Sequence, residues 1–283
     1  MCCASRLIAV CVGCLLPASG LGQAQEAPTS ISGAASDAKE TNNGEDFTRP
    51  LTRTDFRYQY RHLDSWNNDN HIFTFRVDRP IPLDESWKLS LRLDLPLRYA
   101  NIASDDHPSG QYQFGTGDLL TQIAIIKTLD PRWAVGAGSQ FIFPTASKAE
   151  MDSGRYQAVP IVGVRYMWPE ISSGSFAEAV IRYQFDYAGG SNRHHVSNLQ
   201  FQPALNIHLP DFWFVELYPS ADIRVNLGTR RAGDTGSLFL PFDVMVGKSI
   251  GKGLVTSVEV GVPIINDYRI YDFKMEARIS FFF

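Results

Sequence analysis

From Trp87 to Tyr99 the chain alternates without a break. Trp87, Leu89, Leu91, Leu93, Leu95, Leu97 and Tyr99 fall on one parity, and Lys88, Ser90, Arg92, Asp94, Pro96 and Arg98 on the other. Successive side chains of a strand point to opposite faces, so this segment has one wholly apolar face and one that is mostly charged. Few folds can use such a strand. It is long for a globular sheet, and its aromatic ends suit a stave tilted across a membrane.

The pattern recurs. Phe56–Tyr60, Phe73–Val77, Trp133–Phe143, Tyr156–Trp168, Ala177–Tyr187, Leu199–Leu209, Trp213–Val225, Leu238–Val246 and Tyr271–Phe283 alternate in the same way. Two further segments lack a clean phase: Leu119–Thr128 is apolar on both faces, and Leu254–Val262 is only weakly polar on one. Connector length alternates too when the N-terminus is taken as periplasmic. Residues 79–86, 130–132, 169–175, 210–211 and 249–252 are the inner turns, whereas the outer connectors include the two longest, 100–116 and 144–154. Short inner turns, longer outer loops and an even strand count describe an outer-membrane barrel. The expected fold is all-β: a single transmembrane antiparallel up-and-down β-barrel of about 12 strands. A soluble sandwich or lipocalin-like barrel also alternates, but it would turn the apolar face inward and enclose a greasy cavity under a charged exterior.

The N-terminus reads as an export signal. Arg6 precedes an apolar run, Leu7–Leu16, that is too short to span a bilayer, and small residues lead to a cut after Ala24. Residues 25–50 are polar, with Ile31 and Phe47 the only large apolar side chains. Such a segment buries too little surface to offset the entropy of ordering. It is expected to be a disordered periplasmic tail, with a short helical plug as the lesser reading. The expected organisation is therefore a signal peptide at 1–24, a tail at 25–50 and a barrel at 51–283.

Composition removes several functions. All four Cys lie within the first 14 residues, so the exported chain has no disulfide framework, Cys-ligated metal or thiol nucleophile. With 26 Lys+Arg against 30 Asp+Glu, the net charge of -4 gives no general attraction to nucleic acid. No cofactor and no metal site is expected. His194 and His195 are adjacent but have no carboxylate or third His nearby in sequence.

Three short stretches carry a resemblance. They are Gly115-Thr116-Gly117-Asp118-Leu119, Phe141-Ile142-Phe143-Pro144-Thr145-Ala146, and Gly154-Arg155-Tyr156 followed by Pro160. In order and spacing they resemble segments of the outer-membrane barrel proteins, often called transporters, associated with the phenol meta-cleavage pathway. Ala146 and Ser153 stand where that family often has Gly. The resemblance implies a Gram-negative outer-membrane barrel and uptake of small, often apolar or aromatic, compounds. Turn chemistry explains the same residues: Gly115 and Gly117 allow a tight entry to a strand, Pro144 stops one, and Asp118 can accept turn amides.

If the apolar face meets lipid, the other face lines a lumen. Its expected lining, and the substrate path, is Arg57, Arg76, Arg92, Asp94, Arg98, Arg182, Asp222, Arg224, Glu276 and Arg278. A twelve-stranded barrel falls between one filled by side chains and one with an open channel. Most of these charges are expected to pair across neighbouring strands. A cationic bias in the first three strands would favour anionic solutes. Tyr112 and Phe114, in the second outer loop, are candidates for an inward constriction. Trp66, Trp87, Trp133, Trp168 and Trp213 fall near strand ends, as a headgroup girdle requires.

The expected activity is that of a passive channel or transporter with no enzymatic step. Its partners would be outer-membrane lipid, a small-molecule solute, periplasmic chaperones and the barrel-insertion machinery, which would read the terminal Phe283. An enzyme alternative rests on His195 and Ser197, two apart on one face, as in the His-x-Ser-Asn segment of outer membrane phospholipase A. The match stops at Leu199-Gln200, where that family continues Gly-Arg, and no third residue evident in sequence orients the His. A structural or adhesive barrel acting through its outer loops is the other alternative.

Overall fold

The computed structural model describes residues 42–63, 68–102, 107, 110–148, 151–190, 193–230, 233–251 and 253–283. The expected signal peptide, residues 25–41 of the tail, and Trp66 lie outside them. The strands are β1 (Arg53–Leu63), β2 (Asn68–Pro82), β3 (Trp87–Ile102), β4 in two segments (Gln111–Thr116 and Leu119–Thr128), β5 (Trp133–Phe143), β6 (Arg155–Met167) and β7 (Phe176–Gly189). They continue as β8 (Ser197–His208), β9 in two segments (Trp213–Leu217 and Ile223–Asn226), β10 (Leu238–Ile250), β11 (Leu254–Asn266) and β12 (Phe273–Phe282). Each pairs antiparallel with its neighbours in sequence. β1 then pairs with β12, Arg53 opposite Phe282 and His62 opposite Phe273, which closes the sheet. Closure joins the first strand to the last, the condition for a sheet to sit in hydrocarbon; among the described strands the segment Gln111–Thr116, at the long-loop end, pairs on one side alone.

Both interrupted strands have local causes. β4 breaks at Gly117-Asp118, where Gly117 N–H turns to Pro96 O at 2.9 Å. β9 breaks at residues 218–222. Tyr218 has φ 53°, and Pro219 has no N–H to give to the ladder, so the chain leaves the pairing and Gln202 Nε2 donates to Pro219 O at 2.9 Å instead. The sequence pattern runs through the break in β9, which therefore reads as one strand, whereas Gln111–Thr116 read as part of the outer connector 100–116.

The outward face is apolar from end to end. Phe56, Leu95, Ile123, Val162, Ile181 and Val258 are all exposed, while the intervening Asp55, Asp94, Arg165, Glu178 and Glu259 are buried. This is the inverse of a soluble protein, and it decides against the inward-apolar alternative. Trp87, Trp133, Trp168 and Trp213 all sit at the short-turn end. Lys127 Nζ lies 5.0 Å from the Trp87 ring and Lys248 Nζ 4.9 Å from the Trp213 ring. Two of the short turns there, Leu83-Asp84-Glu85-Ser86-Trp87 and Leu129-Asp130-Pro131-Arg132-Trp133, are built alike. In each, the Leu N–H donates to the Trp carbonyl at 2.9 Å. The Asp carboxylate accepts the two amides ahead of it, Asp84 from Ser86 and Trp87, Asp130 from Arg132 and Trp133. In the first turn these amides hold the Asp84 carboxyl below the usual carboxylate range.

Candidate functional site

Residues 42–50, expected as the end of a flexible tail, instead enter the lumen at the short-turn end and pack against its wall. Asn43, Asp46 and Thr48 are buried. Asp46 accepts from Thr48 Oγ1 at 2.6 Å and from Arg49 Nε at 2.7 Å, and lies 3.3 Å from Arg165 Nε. Asn43 Nδ2 donates to Asn206 Oδ1 at 3.2 Å, Arg278 Nη1 to Glu45 Oε2 at 3.1 Å, and Arg53 Nη1 to Gly44 O at 2.8 Å. Wall charges thus satisfy the polar groups that made this segment look unfoldable alone.

Phe47 supplies the apolar anchor. Gly136 on β5 and Gly163 on β6 stand opposite each other in the ladder. A methyl at Gly136 would fall 2.7 Å from the Phe47 ring, and one at Gly163 2.5 Å from it. Two facing glycines make the notch that holds the ring. The legible signs were one Phe in a polar segment and glycines at inward positions of two adjacent strands.

The wall formed by β9 to β12 is an ion network. Lys274 Nζ, fully buried, donates to Asp222, to Glu259 at 2.5 Å, and lies 3.4 Å from Asp243. The three carboxylates could otherwise gather a metal. The ammonium occupies their centre, and Arg224, 3.1 Å from Asp222, and Arg278, bonded to Glu259, supply further positive charge. Arg278 donates to both Glu259 and Glu276, and Ser220 Oγ donates to Glu259 at 2.9 Å. Tyr271 OH donates to Asp243 at 3.0 Å. Pairing continues on β1 to β3. Arg76 holds Asp94 through two bonds, of 2.7 and 2.6 Å. Asp78 is shared by Arg53 at 2.6 Å and Arg92 at 2.7 Å, and Arg57 meets Asp55 at 2.8 Å.

The opposite wall differs. β4 to β6 present Leu120, Ala124, Ile142, Val159 and Ile161 to the interior, and the polar groups among them are the amides Gln122 and Gln140, bonded to each other at 2.9 Å. This is the inner face of the segment that read as apolar on both sides. Between the two walls, above residues 44–51, lies a cavity of about 380 Å³.

Of the expected lining residues, Arg57, Arg76, Arg92, Asp94, Arg182, Asp222, Arg224, Glu276 and Arg278 all border this cavity. Arg98 does not. It lies toward the long-loop end, 3.5 Å from Asp152. Tyr112 and Phe114 are a correction, because they form no constriction. They extend β4 beyond its break, opposite Asn101 and Tyr99, and point outward, with Tyr112 stacked on Tyr99 at 4.9 Å and Phe114 61% exposed.

The segment that does fold inward is the described part of 144–154. Thr145 Oγ1 accepts from Leu119 N at 2.9 Å, Asp118 accepts Ala146 N at 3.1 Å and Ser153 Oγ at 3.2 Å, and Asp152 accepts Asp118 N at 3.1 Å. Met151 is fully buried over Gly115. The three stretches that carried the family resemblance therefore converge on one latch, with Asp118 in the turn role expected of it.

His195 and Ser197 bond to different partners. His195 Nδ1 meets Asp186 at 3.1 Å, a carboxylate partner that sequence did not reveal. The Ser197 hydroxyl bonds Tyr183 OH at 3.0 Å. No hydrogen bond joins the imidazole to the serine among the described residues.

No family model matches the sequence, and no curated protein matches it. Among solved structures, the barrel is similar to an outer membrane channel from Pseudomonas putida F1, with TM-score 0.66 and 14% identity over 84% of this chain and 98% of that one. It is also similar to the NanC porin, with TM-score 0.50 and 13% identity over 81% of this chain and 98% of that one. A match to outer membrane phospholipase A from Escherichia coli, at TM-score 0.45 and 11% identity over 84% of this chain and 95% of that one, is too distant to bear on chemistry. What the first two establish is the fold: a closed twelve-stranded antiparallel barrel of the outer-membrane type.

Proposed function

We propose that the chain is an outer-membrane channel for the passive passage of small solutes. The observation that carries this reading is the inversion of the barrel: an apolar exterior surrounds a polar lumen that still holds a cavity of about 380 Å³. Such a wall has no purpose in water and a clear one in lipid. On this reading residues 1–24 export the chain, the Trp-bearing turns face the periplasm, and residues 42–50 narrow the lumen from that side. Phe283, 84% exposed at the end of β12, is free for the insertion machinery to recognise. The motif resemblance adds small aromatic or apolar compounds as the solute class. No cofactor or catalytic residue enters the account.

Solute-dependent swelling of liposomes containing the purified protein tests it. Swelling should be fast for the smallest solutes and fall steeply with solute size. Liposomes that hold folded barrel yet admit no solute would overturn the reading.

A further inference from the structure

The cavity is two-sided, and the difference between its sides specifies a ligand. Eight arginines and seven carboxylates line it, so its net charge is near balance and cannot by itself select an ion. Local pairing can. Arg182 on β7 belongs to none of the ion pairs formed among the described residues. Its Nη2 donates to a neutral amide, Gln202 Oε1, at 3.0 Å, and its buried Nε has no partner. It stands in the fields of three other cations, Arg92, Arg76 and Arg224, and of one acid, Glu178, with which it forms no ion pair. Arg92 is itself only half neutralised, because it shares Asp78 with Arg53. A guanidinium with no ion-paired partner, with more cations than acids acting on it, favours an entering anion.

The position of Arg182 adds the second requirement. In the ladder it stands directly opposite Ile161 on β6, at the edge of the apolar wall. Val159 and Ala124 continue that wall, and Val180 is the next inward residue on β7 itself. An anion bonded to Arg182 would leave its own body against these side chains. A fully hydrated ion would gain little there, whereas an apolar body would bury surface.

We propose that the mid-lumen cavity is a binding site for a small amphipathic monocarboxylate, its carboxylate on Arg182 and its compact apolar body against Val159, Ile161 and Ala124. The volume lies within the ~300–1,000 Å³ range of small-molecule sites. The site rests on the channel reading only for its purpose, since binding requires the cavity and not conduction.

The test is calorimetric titration of the full chain, purified in detergent from the membranes of expressing cells, with cyclohexanecarboxylate, cyclohexanol and acetate. Heat-modifiable migration checks the folding of each variant. The wild type should bind one cyclohexanecarboxylate saturably, with cyclohexanol and acetate each at least about tenfold weaker. Arg182→Gln should weaken the carboxylate about tenfold, and Arg182→Lys should lose less. Val159→Thr should weaken cyclohexanecarboxylate and leave acetate unchanged. Equal affinity for cyclohexanol and cyclohexanecarboxylate, or an unchanged Arg182→Gln, would overturn the site. The wild-type comparison of ligands stands even if Arg182→Gln fails to fold. A barrel that conducts but binds nothing saturably sinks the site alone, and one that binds but never conducts sinks the channel alone.

Discussion

The wall built by β9 to β12 and the wall built by β4 to β6 face the same lumen and solve opposite problems. The first is crowded with charge, and almost all of it is spent internally: Lys274 sits among three carboxylates, and Arg278 spans Glu259, Glu276 and Glu45. The second carries glycine, alanine and aliphatic residues along the cavity and keeps its charges, Arg155 and Arg165, near the two ends of β6. Burying ions costs desolvation that only close pairing repays, so the charged wall is rigid and closed to visitors. A small-residue wall leaves volume, and the chain uses part of it for its own Phe47 and leaves the rest as cavity. Polarity alone therefore does not mark the conducting side of a narrow barrel. The useful space lies where the lining is smallest and least self-satisfied.

Lys274→Met is the severest way to break this contrast. It leaves three buried carboxylates around an apolar tip, Asp243 with no cation and Asp222 and Glu259 with one arginine each, and should cost about 3–5 kcal/mol, read from urea unfolding of the barrel in lipid vesicles. Ile161→Val, a deletion on the other wall, should cost only about 1 kcal/mol in the same assay. Comparable losses at the two sites would mean that the walls are not distinct.

Removing the anchor sharpens the picture from the other side. Phe47→Ala should release residues 42–50, at a cost of about 1–2 kcal/mol for a half-buried ring. A glutamate-specific protease should then cut after Glu45 faster than in the wild type. Gly163→Val should give the same cleavage with the Phe intact, because its side chain would occupy the notch. Unchanged cleavage in both variants would show that Phe47 does not hold the segment.

The contrast between walls also explains what the sequence revealed. The charged side was legible because charge alternates with apolar residues: nine of the ten expected lining residues border the cavity. The apolar wall was not legible in the same way. Leu119–Thr128 is apolar on both faces for two reasons, lipid outside and Phe47 with the cavity inside, and alternation cannot separate them. Tyr112 and Phe114 misled because a polar-looking loop residue and an extended strand residue look alike until Gly117-Asp118 is known to be a break and not an end. The inward loop was hidden because its contacts with Asp118 are long-range and made through backbone amides.

Two smaller effects bound the account. Asp118→Asn should loosen the latch over β4, with about 1–2 kcal/mol of local stability lost and faster hydrogen exchange at Ala146. The exposed pair of Arg132 and Glu170, 2.6 Å apart on the turn side, is the control. Arg132→Ala should change barrel stability by less than about 0.5 kcal/mol, as for most exposed ion pairs.

Single-channel recording in a planar bilayer tests the central claim most directly, comparing the wild type with Phe47→Ala. The account predicts small discrete steps for the wild type and larger ones for the variant, whose floor no longer seats in the notch. Two folded, inserted and electrically silent barrels would contradict it, because a lumen that stays closed without its anchor is not a conduit.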